Sequence, residues 1–231
     1  MISLILPYWN RQAAADLSLA LMARHYADLA LEVIVVDDGS TPPYQAPAAL
    51  PFPVRVVRLQ AKPAPMNPCT PINAGAAIAQ GEYIALSNPE ILHESPVLPA
   101  MLDEAQRGGP LTYVLAACWD PERKRWHCHT SNKRSDSGDV GSYLPAGADY
   151  HFMALMHRSL WEAAGGFDED YRDGAGYDDP DFVRRLHRAG ARFVIRDDLV
   201  VTHPRHGARA GWTPAMFTRN RMIFKQKWQP F

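Results

Sequence analysis

The chain has 231 residues, 47% of them apolar and 21% charged, with 24 Lys and Arg against 25 Asp and Glu for a formal charge of −1. That balance excludes a broad electrostatic grip on nucleic acid, which needs surplus cations to displace counterions, and the apolar content excludes a disordered chain. No run reaches the roughly 18 apolar residues of a membrane span, and Cys69, Cys118 and Cys128 lack CxxC spacing, so the expectation is a cytoplasmic protein without a disulfide framework.

The apolar run Ile2 to Leu6 reads as a strand, and Arg11 to Leu29 as a helix in which Leu17, Ala20, Leu21, Arg24 and Tyr26 fall near 3.6-residue spacing. Leu31 to Val36 is a second strand, short and apolar as a strand buried on both faces should be, and it ends at Asp37-Asp38-Gly39-Ser40. Strand, helix and strand predict a parallel pair joined by a right-handed crossover. A proline-rich connection (Pro42 to Pro53) leads to a third strand, Val54 to Leu59. A second proline cluster, Pro63 to Pro71, precedes a helix over Ile72 to Gln80 for which Gly81 is the expected C-cap. Tyr83 to Leu86 is a fourth strand running into Ser87-Asn88-Pro89-Glu90. Parallel sheets place ligand sites outside the carboxyl ends of their strands, so Asp37-Asp38 and Asn88-Pro89-Glu90 are expected on one rim.

A helix over Val97 to Gln106 and a strand over Leu111 to Cys118 follow. Residues 120–147 are polar and rich in Lys, Arg, Ser, Asp and Gly, and read either as a lid or acceptor-facing insertion or as a solvated surface loop. Phe152 to Met156 suggests a short strand, Arg158 to Ala164 a helix and Gly165-Gly166-Phe167-Asp168 a turn. Asp179 to Ala189 is an amphipathic helix stopped by Gly190, and Phe193 to Ile195 a further strand. The reading is a single α/β domain with a mostly parallel central sheet flanked by helices. His127-Cys128-His129 does not read as a zinc site, because neighbouring residues of an extended chain point opposite ways and no second pair stands at ligand spacing.

Four polar clusters stand at element ends: Asp37-Asp38, Asn88-Pro89-Glu90, Asp178-Asp179-x-Asp181 and His203-Pro204-Arg205-His206. Each alone is as well explained by a helix cap or a turn. Together on one rim they would need a cation or a set of donors to relieve their mutual repulsion.

At this point a resemblance emerges. Leu6-Pro7-Tyr8-Trp9-Asn10-Arg11, Val35-Val36-Asp37-Asp38-Gly39-Ser40, Asn73-x-Gly75, Gly81-Glu82-Tyr83-Ile84, Gly165-Gly166-Phe167-Asp168-Glu169 and Asp178-Asp179-x-Asp181-Phe182-x-x-Arg185-Leu186 stand in the order of an inverting glycosyltransferase of family 2 with the GT-A fold, a Rossmann-like architecture. The resemblance spans roughly residues 1 to 206. It implies a nucleotide-binding half over 1–118, an acceptor and catalytic half over 119–206 and a tail over 207–231. Pro7 and Tyr8 would line the base and ribose, Asp38 would accept from a pyrimidine N–H, and Asp37 would either support that turn or touch the ligand. Asn73 belongs to the same implied donor site, although Ile72 stands where many members carry an arginine for the diphosphate. Lys62, Arg55, a loop arginine or a cation would then supply that charge. Asn88-Pro89-Glu90 occupies the place of the family's DxD, with Asn88 reaching the ribose or a metal-bound water. Glu90 would bind a divalent cation, Mn²⁺ or Mg²⁺, and His203 would complete its shell. Asp179 is the implied general base and Asp178 the second choice. The implied partners are a nucleotide-sugar donor, uridine-linked, and a glycan, lipid-linked or protein acceptor. The basic aromatic segment Trp212 to Trp228 is either a helix docked on the domain or a weak membrane-surface contact. The alternative from a different class is a catalytically silent nucleotide-sugar-binding or scaffold module, suggested by Asn88 and Ile72.

Overall fold

The computed structural model describes residues 1–60, 67–132, 151–205 and 211–228. Strand β1 (Ile2–Tyr8) leads through helix α1 (Gln12–His25) to β2 (Leu31–Asp37), and β3 (Val54–Arg58) follows. Helix α2 (Cys69–Ile78), β4 (Tyr83–Ser87), α3 (Val97–Gly108), β5 (Thr112–Asp120) and β6 (Arg125–Cys128) come next. After them stand β7 (Met153–His157), α4 (Arg158–Ala164), a 3-10 turn (Glu169–Tyr171), α5 (Asp178–Arg188), β8 (Arg192–Thr202) and α6 (Pro214–Trp228). The strands form one sheet in the order β3-β2-β1-β4-β7-β5-β6, with β8 beside β5. β1 is parallel to β2 and β4, β2 to β3 and β5 to β8, whereas β7 is antiparallel to both β4 and β5. Two antiparallel steps restore the direction, so β1, β2, β4, β5 and β8 all point their carboxyl ends at one rim.

The centre of the sheet is built from the expected apolar runs. Every residue of β2 is buried, as is all of β1 except Pro7, because helices cover both faces. Helix α2 reaches that surface through Gly75, where an added Cβ would lie 2.6 Å from Ile5 Cγ2 and 3.1 Å from Val36 Cγ2. The far end of the sheet is closed by buried Glu32, whose Oε1 accepts from Ser3 Oγ at 2.6 Å and from the Gln80 amide at 2.6 Å.

Three local expectations are corrected. Residues 120–128 are not loop: β5 runs on to Asp120 and turns back as β6, whose pairing puts Trp119 opposite Trp126. Residues 133–147 of the expected loop lie outside the described residues. Gly81 does not cap α2, which ends at Ile78 with Ala79 as cap. It instead lets the chain cross β1, since a Cβ there would meet Ser3 N at 2.7 Å. The strand begun at Phe193 and the apolar Leu199 to Val201 are one strand, β8, which follows β5 around a bulge between Ala116 and Ala117.

Helix α6 is docked rather than lying free. Asn220 and Phe224 are buried, Arg188 lies over the Trp228 ring at 4.0 Å, and Lys227 pairs with Asp168 at 2.5 Å and Asp170 at 2.9 Å. Phe217 and Met222 remain exposed. Among the described residues no helix is long and apolar enough to cross a membrane.

Candidate active site

The carboxyl end of β1 carries Pro7 and Tyr8, and that of β2 carries Asp37, which stands opposite Tyr8 in register. Asp37 is fully buried and already employed. Its Oδ1 accepts from the Ser40 amide at 2.7 Å, and its Oδ2 accepts from the Tyr44 amide at 3.0 Å and from Arg58 at 2.7 Å. Burial alone would raise its pKa, but these donors outweigh burial and hold it below the usual carboxylate value. These bonds tie Asp37 to the turn, the first of the two roles the resemblance leaves open. Asp38 follows it at the mouth, its amide bonded to the Tyr8 carbonyl at 2.9 Å, and the Tyr8 ring leans on Tyr44 at 4.5 Å. Asn10 takes a left-handed backbone with φ 45°, bonds to Ser40 and Thr41, and so ties the β1 and β2 turns together.

The β4 end supplies Asn88-Pro89-Glu90. The Glu90 side chain is only 3% exposed, and its Oε1 meets Arg11 Nη1 at 2.6 Å and His203 Nε2 at 3.4 Å. His203 leaves the end of β8, its amide bonded to the Trp119 carbonyl at 2.8 Å. Its ring packs on Phe152 at 4.8 Å and on His127 at 5.1 Å, and His127 in turn faces Asp120 at 3.3 Å. Burial, with His203 beside it, pushes His127 down to about 4, so this imidazole is neutral near pH 7. Arg11, His127 and Asp120 therefore join the site; the motifs that contain Arg11 and His127 do not predict a place beside Glu90, and no motif marks Asp120. The one available signal is that Arg11 stands in the short turn between the β1 end and α1.

Two donors on this rim are of the kind a divalent cation takes. Glu90 oxygen and His203 nitrogen stand at the separation that two ligands of one hard cation adopt, and Arg11 must swing off Glu90 to admit it. Among the described residues no third His, Cys, Asp or Glu joins them in ligand geometry, which leaves the remaining positions to water and substrate phosphate. The diphosphate charge does not come from Arg55, which bonds the Ile78 carbonyl at 2.8 Å and pairs with Glu32 away from the rim. Lys62 and His206 lie outside the described residues.

Asn73, which the resemblance places in the donor site, also acts as a structural clamp. Its Nδ2 donates to the Phe167 carbonyl at 2.8 Å and to Glu169 at 2.8 Å, while its Oδ1 accepts from the Phe167 amide at 2.9 Å. Gly166 permits that closeness, because a Cβ there would stand 2.8 Å from Asn73 Oδ1. Two sequence motifs thus grip each other and aim the chain toward α5.

The first turn of α5 holds Asp178, Asp179 and Asp181, where the helix N-terminus favours negative charge. Asp178 is buried and accepts from Asn67 Nδ2 at 2.7 Å. Asp181 is buried too, accepting from Trp228 Nε1 at 2.7 Å and Tyr171 Oη at 3.1 Å; burial raises its pKa despite these donors. Asp179 differs: its side chain is 34% exposed, with Oδ1 3.8 Å from His151 Nε2. His151 and Phe152 are consecutive, and one faces Asp179 while the other packs on His203. The Glu90 and Asp179 clusters therefore meet across a single peptide unit.

With this geometry in place, the comparisons agree. Residues 3–164 match the model of glycosyl transferase family 2, and the chain belongs to that family; Asp178 and Asp179 lie beyond the matched segment. No curated protein sequence matches the chain. Among solved structures it is similar to TarS of S. aureus, with a TM-score of 0.62 and 15% identity over 98% of this chain and 39% of that one. It is also similar to the mannosyltransferase PcManGT of Pyrobaculum calidifontis, solved in complex with GDP-Man and Mn²⁺, with a TM-score of 0.56 and 17% identity over 91% of this chain and 58% of that one. The fold they share is GT-A, and this chain spans less than two thirds of either relative.

Proposed function

We propose that the protein is a cytoplasmic, inverting glycosyltransferase that moves a sugar from a nucleoside diphosphate donor to an acceptor hydroxyl, with Asp179 as general base. The observation that carries this reading is the division of labour at the start of α5. Asp178 is buried and taken up by Asn67, whereas Asp179 stays partly exposed on the rim that also carries Glu90 and His203. The carboxylate of Asp179 takes the acceptor proton as the acceptor oxygen attacks the anomeric carbon. The bond from that carbon to the donor phosphate breaks on the opposite side, which inverts the centre in one displacement and releases the nucleoside diphosphate.

Pro7, Tyr8 and Asp38 surround the base and ribose in this reading, with Asn88 beside the ribose. Glu90 and His203 would hold a divalent cation, which supplies positive charge to the departing diphosphate. Arg11, freed from Glu90, lies at the same place and adds a second charge. Asp38 as an acceptor for a pyrimidine N–H favours a uridine donor, while the GDP-Man bound to PcManGT makes guanosine the competing choice. The acceptor is a glycan, lipid-linked or protein hydroxyl facing the α5 side.

A panel of UDP- and GDP-sugars, read by melting temperature with and without Mn²⁺ and by nucleotide release, tests the proposal. Metal-assisted binding and slow donor hydrolysis are expected, and Asp179→Asn should cut turnover by about 10² to 10⁴ with donor affinity within about twofold. Binding with no turnover in any arm would instead identify a silent binding module.

A further inference from the structure

We propose that Tyr113 and His151 form a positioning pair for Asp179: the phenol fixes the imidazole tautomer, and the imidazole presents Nε2–H to the base. The inference rests on the assignment of Asp179 as base and concerns what holds that carboxylate in line. Tyr113 is fully buried in β5, and its hydroxyl makes a short hydrogen bond to His151 Nδ1. His151 is itself buried, edge-on to Tyr113 at 5.8 Å, Phe167 at 5.6 Å and Phe182 at 5.3 Å, so the ring has little freedom to turn. Its Nε2 emerges from this aromatic box toward the first turn of α5, 3.8 Å from Asp179 Oδ1.

The proton inventory decides which nitrogen donates. Burial pushes the His151 imidazole down to about 3, so it is neutral throughout the working range and carries one N–H. Burial also raises the Tyr113 phenol far above its ordinary value, so its proton stays on. The phenol therefore donates to Nδ1, and the histidine proton is left on Nε2. That N–H is buried and short of a hydrogen bond in this state. A contraction of about 1 Å, of the kind catalytic hydrogen bonds undergo when substrate binds, would close it onto the carboxylate. A neutral donor suits this task. It orients one oxygen of the base without placing a full positive charge beside it, so the carboxylate keeps its basicity where an imidazolium would drain it.

The test uses the full chain and hydrolysis of whichever UDP- or GDP-sugar gives the fastest nucleotide release. His151→Phe fills the aromatic box but removes the donor, and should lower kcat about 10- to 100-fold with the donor KM within about twofold. His151→Gln places an amide N–H near the lost Nε2–H and should recover to within about threefold of wild type. Tyr113→Phe leaves the packing at residue 151 untouched and should lower kcat by a smaller factor through loss of the fixed tautomer. On an Asp179→Asn background, His151→Phe should cost nothing further. Equal losses in His151→Phe and His151→Gln, or parallel falls in kcat, donor affinity and melting temperature, would mean a packing role and overturn the proposal. Wild-type turnover in Asp179→Asn would remove the base assignment instead. Imidazole ¹⁵N spectra separate the two failures without substrate: a neutral Nε2–H tautomer whose shift moves in Asp179→Asn is expected, and an Nδ1–H tautomer, or indifference to Asp179, refutes the pairing.

Discussion

Replacing Arg11 by Met tests whether the guanidinium on Glu90 and a divalent cation compete for one carboxylate. Glu90 is 3% exposed and Arg11 29% exposed, with 2.6 Å between them. Removing one partner of a fully buried pair costs about 3–5 kcal/mol, because the other charge is left in a poorly solvating place. Water reaches the Arg11 side of this pair, so a smaller cost than that, about 2–3 kcal/mol, is expected. For a chain of this size that corresponds to a fall in melting temperature of about 4–12 °C. A cation that binds only the folded state at 100 times its Kd returns about 2.7 kcal/mol, so saturating Mn²⁺ should restore most of the loss. The wild type should respond less, since the cation must first detach the guanidinium. Thermal melts of both proteins across a MnCl₂ series read the outcome. A variant melting within about 1 °C of wild type, with the same Mn²⁺ response, would show that Glu90 neither depends on Arg11 nor receives the cation.

Other positions give independent checks. Gly75→Ala should cost about 1–3 kcal/mol in urea denaturation, because its Cβ would sit 2.6 Å from Ile5 Cγ2 and force α2 off the sheet. Asn220→Ala removes the donor at 3.0 Å to the buried Tyr171 carbonyl and the shorter of two donors, at 2.8 Å, to the half-buried Gly176 carbonyl, which keeps Asn67 at 3.4 Å; a loss of about 1–3 kcal/mol is expected, together with slower donor hydrolysis because Gly176 leads into Asp178. Asp37 carries a pH signature. Its folded pKa lies below the usual 3.8, so its stabilisation is full above that value and is lost as pH falls through the folded pKa. The stability gap between wild type and Asp37→Asn should therefore narrow on acidification into that range, and a gap independent of pH would contradict the assignment of Asp37 to the turn.

Much of the architecture could be read from residue order, because the strands buried on both faces announce themselves as unbroken apolar runs and their ends as acids. Ile2 to Leu6, Leu31 to Val36 and Tyr83 to Leu86 are β1, β2 and β4 almost to the residue. Strand β6 was hidden because Arg125, Trp126 and His127 are exposed or half-buried, so no alternation of polarity marks them. β8 was split in two by Arg196-Asp197-Asp198, which a strand beyond the covered centre of a sheet can carry. At the site, residues at strand ends were found and residues that act through tertiary contacts were not. Arg11, Asn67 and His151 owe their places to partners 79, 111 and 28 positions away; nothing local distinguishes Asn67 and His151 from ordinary polar residues, and the motif that ends in Arg11 does not point to Glu90. Asn73 shows the converse, a motif residue whose amide is wholly consumed inside the fold.

The dipeptide just before β7 serves two masters, because its two neighbouring side chains leave the chain toward different clusters. Its imidazole looks toward α5 and its phenyl toward His203, and the seam that pairs Met153 with Ser87 decides which is which. A slip of that seam by a single step would move both rings, drawing the imidazole away from Asp179 and the phenyl away from His203. Fidelity of strand alignment in β7 is thus a condition of the chemistry as much as of the architecture.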